Sequence, residues 1–142
     1  MKRFGRTVLW LGLLWILTAA PALAGSVVQA RCDCGYHSGQ LLIFGGKSNF
    51  QSVCWFPAYC PGVKEVLLIN MYQTPLASPG CTEAQPLPYD HPSLVGKPGR
   101  HPIAGWSTKD RIGRNLVLTN GTYLCPVCGQ KTLRFFPTGM WD

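Results

Sequence analysis

The chain has 142 residues, room for one domain and too few for two of ordinary size. Charged residues make up 13% and glycine plus proline 28 of 142, which excludes a coiled coil and charge-driven disorder and points to a loop-rich globule. Seven cysteines exceed what core filling needs in so short a chain and must be disulfides, metal ligands or both.

The N-terminus carries three zones. Lys2, Arg3 and Arg6 are basic, Val8 to Leu17 (VLWLGLLWIL) is apolar, and Ala22-Leu23-Ala24 places small residues just before Gly25. This layout predicts a secretory signal peptide over residues 1–24, because ten apolar residues and the Pro21 break fall short of the ~20 that a membrane span needs. Arg31 precedes Cys32 and the apolar run is distant, so no lipoprotein attachment is expected. The expected product is an exported bacterial protein, periplasmic or secreted, whose single domain is residues 25–142. Ten Lys or Arg against six Asp or Glu remain there, a net charge of +4 that does not by itself call for nucleic acid.

Along that domain, residues 25–31 read as a short ordered lead or a fray. Gln40 to Phe44 reads as a strand ended by Gly45-Gly46, and Glu65 to Met71 as another after the Pro61-Gly62 turn. Residues 76–106 form a long Pro-rich loop, uncommon in a small domain unless it is tied down or has a task. Leu116–Thr119 and Thr122–Cys125 flank Asn120-Gly121 and predict a hairpin whose two turn residues need positive φ. Lys131 to Phe136 closes the set. No long stripe of period 3.6 follows residue 25, so the fold class is mainly β with long irregular Pro/Gly-rich loops. The cysteine pairs are the one repeat visible by eye.

Cys125-Pro126-Val127-Cys128-Gly129 has the form of a metal knuckle. Two thiolates with two residues between them fold back toward one ion, and the glycine supplies the positive φ that turns backbone amides toward sulfur. Cys32-Asp33-Cys34-Gly35-Tyr36 offers a second pair, and together the four sulfurs make a tetrahedral set joining the two ends of the domain. At these residues C-P-V-C-G-Q-K-T-L-R-F (125–135) resembles the second knuckle of rubredoxins and zinc ribbons, and C-G-Y (34–36) the first. The resemblance covers about sixteen residues. It implies a small zinc-ribbon or rubredoxin-like core with zinc, or alternatively iron, on Cys32, Cys34, Cys125 and Cys128. It departs in the C-x-C spacing of the first pair and in the ninety residues between the pairs.

Cys60-Pro61-Gly62-Val63 and Cys81-Thr82-Glu83-Ala84 fit the template C-x2-C-x15–20-C-x2-C with the second cysteine of each pair replaced, by Val63 and by Ala84. This predicts a second ribbon that lost its metal and closed a Cys60–Cys81 disulfide, as an exported compartment favours. The alternative is an accidental spacing with Cys54, Cys60 and Cys81 paired otherwise. Cys54, between Val53 and Trp55-Phe56, reads as a buried inert thiol. His37 is a substitute ligand for Cys32 or, more simply, a surface histidine.

Several patterns fail. A thioredoxin fold needs a helix and strands after the C-x-x-C motif, and only fourteen residues follow Cys128. Gly46-Lys47-Ser48 lacks the first glycine of a phosphate loop, since Leu41 stands there. Gly129 replaces the histidine of a haem motif. Asn120-Gly121-Thr122 is a glycan acceptor by pattern, better explained by the turn. Lys97, Arg100, Lys109, Arg111 and Arg114, with Trp106 among them, suggest either an anionic surface or polymer as partner or, since no groove spacing appears, a solvated loop face. The sequence therefore predicts no catalytic residues and a structural or binding role built on zinc. Two rivals are a rubredoxin-like electron carrier and a periplasmic thiol oxidoreductase using Cys125 and Cys128.

Overall fold

The computed structural model describes residues 24–142, so the basic and apolar zones of the expected signal peptide lie outside the described residues. The described chain is mainly β, in small antiparallel sheets. The first sheet has β1 (Gly25–Arg31) at its centre, between β2 (Leu41–Ile43) and β8 (Arg134–Trp141). The second has β3 (Trp55–Tyr59) between β4 (Leu67–Asn70) and β5 (Leu87–Pro88). The third pairs β6 (Pro102–Trp106) with β7 (Leu116–Thr119), joined through the single-turn helix α1 (Lys109–Ile112).

Residues 25–31 are thus no fray. Both edges of β1 are hydrogen-bonded, and Val28 and Ala30 are wholly buried. The adjacent pair Val27-Val28 blurs the alternation that would have announced the strand. β8 runs past Phe136 to Trp141 in spite of Pro137 and Gly139, because it is an edge strand and carries a bulge at Thr138. The Thr138 hydroxyl donates to the Val27 carbonyl at 3.3 Å, and the Trp141 indole N–H to the Ile43 carbonyl at 2.9 Å. The Trp141 ring fills the space a side chain on Gly25 would need.

The first two sheets are built alike. Val28 faces Leu41 and Val27 faces Leu42; 28 residues on, Phe56 faces Ile69 and Trp55 faces Asn70. The third strands match as well. Ala30 faces Phe135 and Arg31 faces Arg134, as Ala58 faces Pro88 and Tyr59 faces Leu87. The central alanines Ala30 and Ala58 are both wholly buried. The second unit lies within the ninety-residue stretch that separates the two halves of the first, and the long connection is therefore a structured insertion. Apart from the cysteines the two units share few side chains, and the strand register reveals how far the repeat extends.

The expected Asn120-Gly121 hairpin does not form. β7 pairs with β6, out of the Pro-rich stretch, and neither Asn120 nor Gly121 has positive φ. Asn120 Oδ1 instead accepts the backbone N–H groups of Arg100 and His101 at 2.9 and 3.1 Å. Gly121 packs so closely on the Lys97–Gly99 backbone that no Cβ fits. The glycine serves a close approach of two loops and not a turn. Residues 76–106 also hold β5 and a 3-10 turn at Pro92–Leu94. Tyr89 is buried in an edge-to-face triad with Tyr123 and Phe135, at centroid distances of 5.3 to 6.0 Å, which ties this stretch to the start of β8.

Candidate metal centre

The two cysteine pairs meet because β1 and β8 are antiparallel neighbours. The first pair follows the C-terminal end of β1, and the second precedes the N-terminal end of β8. Arg31 faces Arg134, so both pairs hang from the same end of the sheet.

Each pair sits in a tight turn closed by the same two backbone hydrogen bonds. In the first, the Cys32 N–H donates to the Tyr36 carbonyl at 2.8 Å and the Gly35 N–H to the Cys32 carbonyl at 3.0 Å. In the second, the Cys125 N–H donates to the Gln130 carbonyl at 2.8 Å and the Gly129 N–H to the Cys125 carbonyl at 3.0 Å. The first turn is the second with one residue removed, which accounts for C-x-C beside C-x-x-C. Gly35 and Gly129 have φ of 95° and 72°, the left-handed conformation the sequence called for.

The four sulfurs lie within 4.8 Å of one another. Cys32 Sγ is 3.7 Å from Cys128 Sγ, and Cys34 Sγ is 3.8 Å from Cys125 Sγ. A tetrahedron of sulfurs about 2.3 Å from a central zinc has edges of about 3.8 Å. The residues present therefore fit a tetrahedral thiolate site. Four thiolates this close repel one another, and a dication at their centre removes that repulsion. His37 is not in the cluster; its backbone bridges to Arg31.

The surroundings act differently on Cys125, Cys32 and Cys34. Cys125 is buried and its thiol is pushed up to about 12, burial outweighing the Cys128 and Val127 N–H groups aimed at its sulfur. For Cys32, burial acts to raise the pKa, but the Cys34 N–H and the Thr132 hydroxyl, 3.1 Å from its sulfur, bring it down to about 7. The Tyr36 N–H works to lower Cys34, yet desolvation and the sulfurs of Cys32 and Cys128 leave it above the usual thiol value. Cys34 and Cys128 are exposed and form the solvent-facing edge of the cluster.

Three supporting residues were not foreseen. Thr132 contacts Cys32, and its hydroxyl lies inside the motif 125–135 without any signature of its own. Tyr36 accepts the Val66 N–H at 2.9 Å and pins the first turn to the second sheet. The Tyr89 hydroxyl donates to the Leu124 carbonyl at 2.9 Å, next to Cys125, from the stretch where the sequence showed only loop.

The remaining cysteines divide as expected. Cys60 and Cys81 form a disulfide, and Cys54 is wholly buried, its thiol pushed up to about 12 by burial. The basic residues of 97–114 have different surroundings. Arg111 lies 3.8 Å over the Tyr72 ring and donates to the Gln51 carbonyl, and Arg114 pairs with Asp90 at 2.8 Å. Lys97 and Arg100 instead line a separate cleft with Arg134. No helix among the described residues is long and apolar enough to cross a membrane. Comparison with family models, curated proteins and solved structures finds no match to this chain.

Proposed function

We propose that residues 25–142 are the single domain of an exported protein that binds one zinc ion through Cys32, Cys34, Cys125 and Cys128, in a zinc-ribbon-like core of structural or binding role. The observation that carries this is the convergence of two turns, ninety residues apart, on one sulfur tetrahedron whose edges of 3.7 and 3.8 Å suit zinc. The ion would fasten the start of the domain to its last strand. Cys32 and Cys125 would hold it from the protein side, and Cys34 and Cys128 from the solvent side. Zinc is preferred to iron because it has no redox chemistry for oxygen to exploit outside the cytoplasm. The Cys60–Cys81 disulfide fits an oxidising compartment. Against thiol exchange stands the burial of Cys125, which holds as a thiol the first sulfur of the C-x-x-C pair.

The test is metal content and thermal stability. Cys125→Ser or Cys128→Ser should lower both, while Cys54→Ser should leave the metal in place. Full metal retention in Cys128→Ser would refute the assignment. Absorption separates the rival, since zinc thiolate is colourless and ferric thiolate is red. Mass spectrometry of the extracytoplasmic fraction should find residues 1–24 absent; intact Met1 there would refute cleavage.

A further inference from the structure

The shared register of the two sheets assigns each ligand position of the outer unit a counterpart in the inner one. Along the central strand the shift is 28 residues, as Val28 becomes Phe56, Ala30 becomes Ala58 and Arg31 becomes Tyr59. Carried one and three residues beyond the strand, it takes Cys32 to Cys60 and Cys34 to Gly62. Along the third strand Arg134 becomes Leu87 and Phe135 becomes Pro88, a shift of 47 residues the other way. Carried back through the preceding turn, it takes Cys128 to Cys81, Pro126 to Pro79 and Cys125 to Ser78.

Three observations that played no part in the alignment agree with it. Cys125-Pro126-Val127-Cys128 falls on Ser78-Pro79-Gly80-Cys81, so the proline coincides and one cysteine is replaced by the residue nearest to it in shape. Cys32 and Cys128, whose sulfurs are 3.7 Å apart in the outer cluster, fall on Cys60 and Cys81, which are disulfide-bonded. The Val63 N–H donates to the Cys60 carbonyl at 3.1 Å, as Gly35 does to Cys32 at 3.0 Å. On this register the second missing ligand falls on Ser78, where the spacing template placed it at Ala84. The first falls on Gly62, beside Val63.

We propose that the inner unit is a second four-thiolate metal site reduced to two sulfurs, Gly62 and Ser78 standing where thiols would complete it, with the surviving pair closed as a disulfide. The two units perform the same task, fastening the end of a central strand to the turn before its third strand, one with a metal ion and the other with a covalent bond. A cleft of about 220 Å³ lined by Gly62, Val63, Gly80 and Thr82 lies between the inner turns and leaves open space beside Val63. Gly62 has a φ of 83°, which strains a cysteine there, so the thiol is better restored at Val63, giving C-P-G-C in both inner turns.

The experiment is Val63→Cys/Ser78→Cys, reduced and supplied with zinc, weighed by native mass spectrometry beside wild type treated identically. The variant should hold one more ion per chain than wild type. An equal count in a folded variant overturns the proposal. The outer assignment is judged separately, because a wild type without metal beside a variant with one ion would refute the outer site and leave the inner one standing. If the double variant does not fold, Ser78→Cys alone serves. Reduced and given cobalt, its three inner thiolates should add thiolate-to-metal absorption to the wild-type spectrum, and an unchanged spectrum overturns the proposal.

Discussion

Removing the inner staple is the perturbation whose cost is easiest to work out. Cys60 and Cys81 are 21 residues apart in sequence and almost wholly buried, so Cys60→Ala/Cys81→Ala deletes the bond without placing a new polar group in the core. In the chain-entropy model a loop of that size is worth about 3.3 kcal/mol. At about 4 °C per kcal/mol for a domain between the small and mid-sized classes, the melting temperature should fall by about 13 °C. Thermal unfolding followed by circular dichroism, with metal content measured on the same samples, gives both numbers. The outer cluster is held by β1 and β8, so the metal should remain at one per chain at room temperature. A fall of less than about 3 °C would refute the loop-entropy reasoning, and loss of the metal with the disulfide would refute the independence of the two staples.

Four more outcomes follow. Tyr89→Phe leaves the Leu124 carbonyl without its 2.9 Å partner beside Cys125 and should cost about 1–3 kcal/mol in denaturant unfolding; no measurable loss would show that water replaces the hydroxyl. Thr132→Val removes the hydroxyl 3.1 Å from Cys32 Sγ and should weaken zinc binding about 10–100-fold in a chelator competition without lowering helix or strand content. Cys54, whose thiol burial raises to about 12, keeps its proton in the fold while the unfolded chain loses it near 9.0. Its contribution to stability is therefore complete below pH 9.0 and lost as pH rises toward 12, so Cys54→Ala should flatten the alkaline limb of the stability curve. The same burial predicts that iodoacetamide leaves Cys54 unmodified in the native protein; rapid labelling would contradict it.

What was legible in the sequence is what fixed chemistry dictates. Two thiols held two or three residues apart suit a metal turn or a dithiol redox pair, and Gly35 and Gly129 adopt the positive φ that a metal turn uses. The spacing of Cys60 and Cys81 points to the disulfide that they form. What was illegible depends on partners distant in sequence. The strand at residues 25–31 exists because β2 and β8 flank it. Trp55–Tyr59 is a central strand despite Pro57, whose carbonyl accepts the Tyr89 N–H at 3.0 Å, a pairing no local propensity reports. Asn120-Gly121 carried a strong hairpin signal that tertiary contacts to residues 97–101 override, because the asparagine side chain and the missing Cβ are used to join two loops. Only Cys60 and Cys81 announce the second unit in the sequence, since the rest of its likeness to the first lies in register and burial and hardly at all in side-chain identity.

The central claim is that the four sulfurs of Cys32, Cys34, Cys125 and Cys128 share one ion. X-ray absorption at the zinc edge, on protein purified without chelator and with its metal counted, tests it most directly. The account predicts one zinc per chain and a first shell of four sulfurs at about 2.3 Å, with no nitrogen or oxygen scatterer. A shell with two or three sulfurs, or a Cys125–Cys128 disulfide in protein that carries no metal, would contradict it.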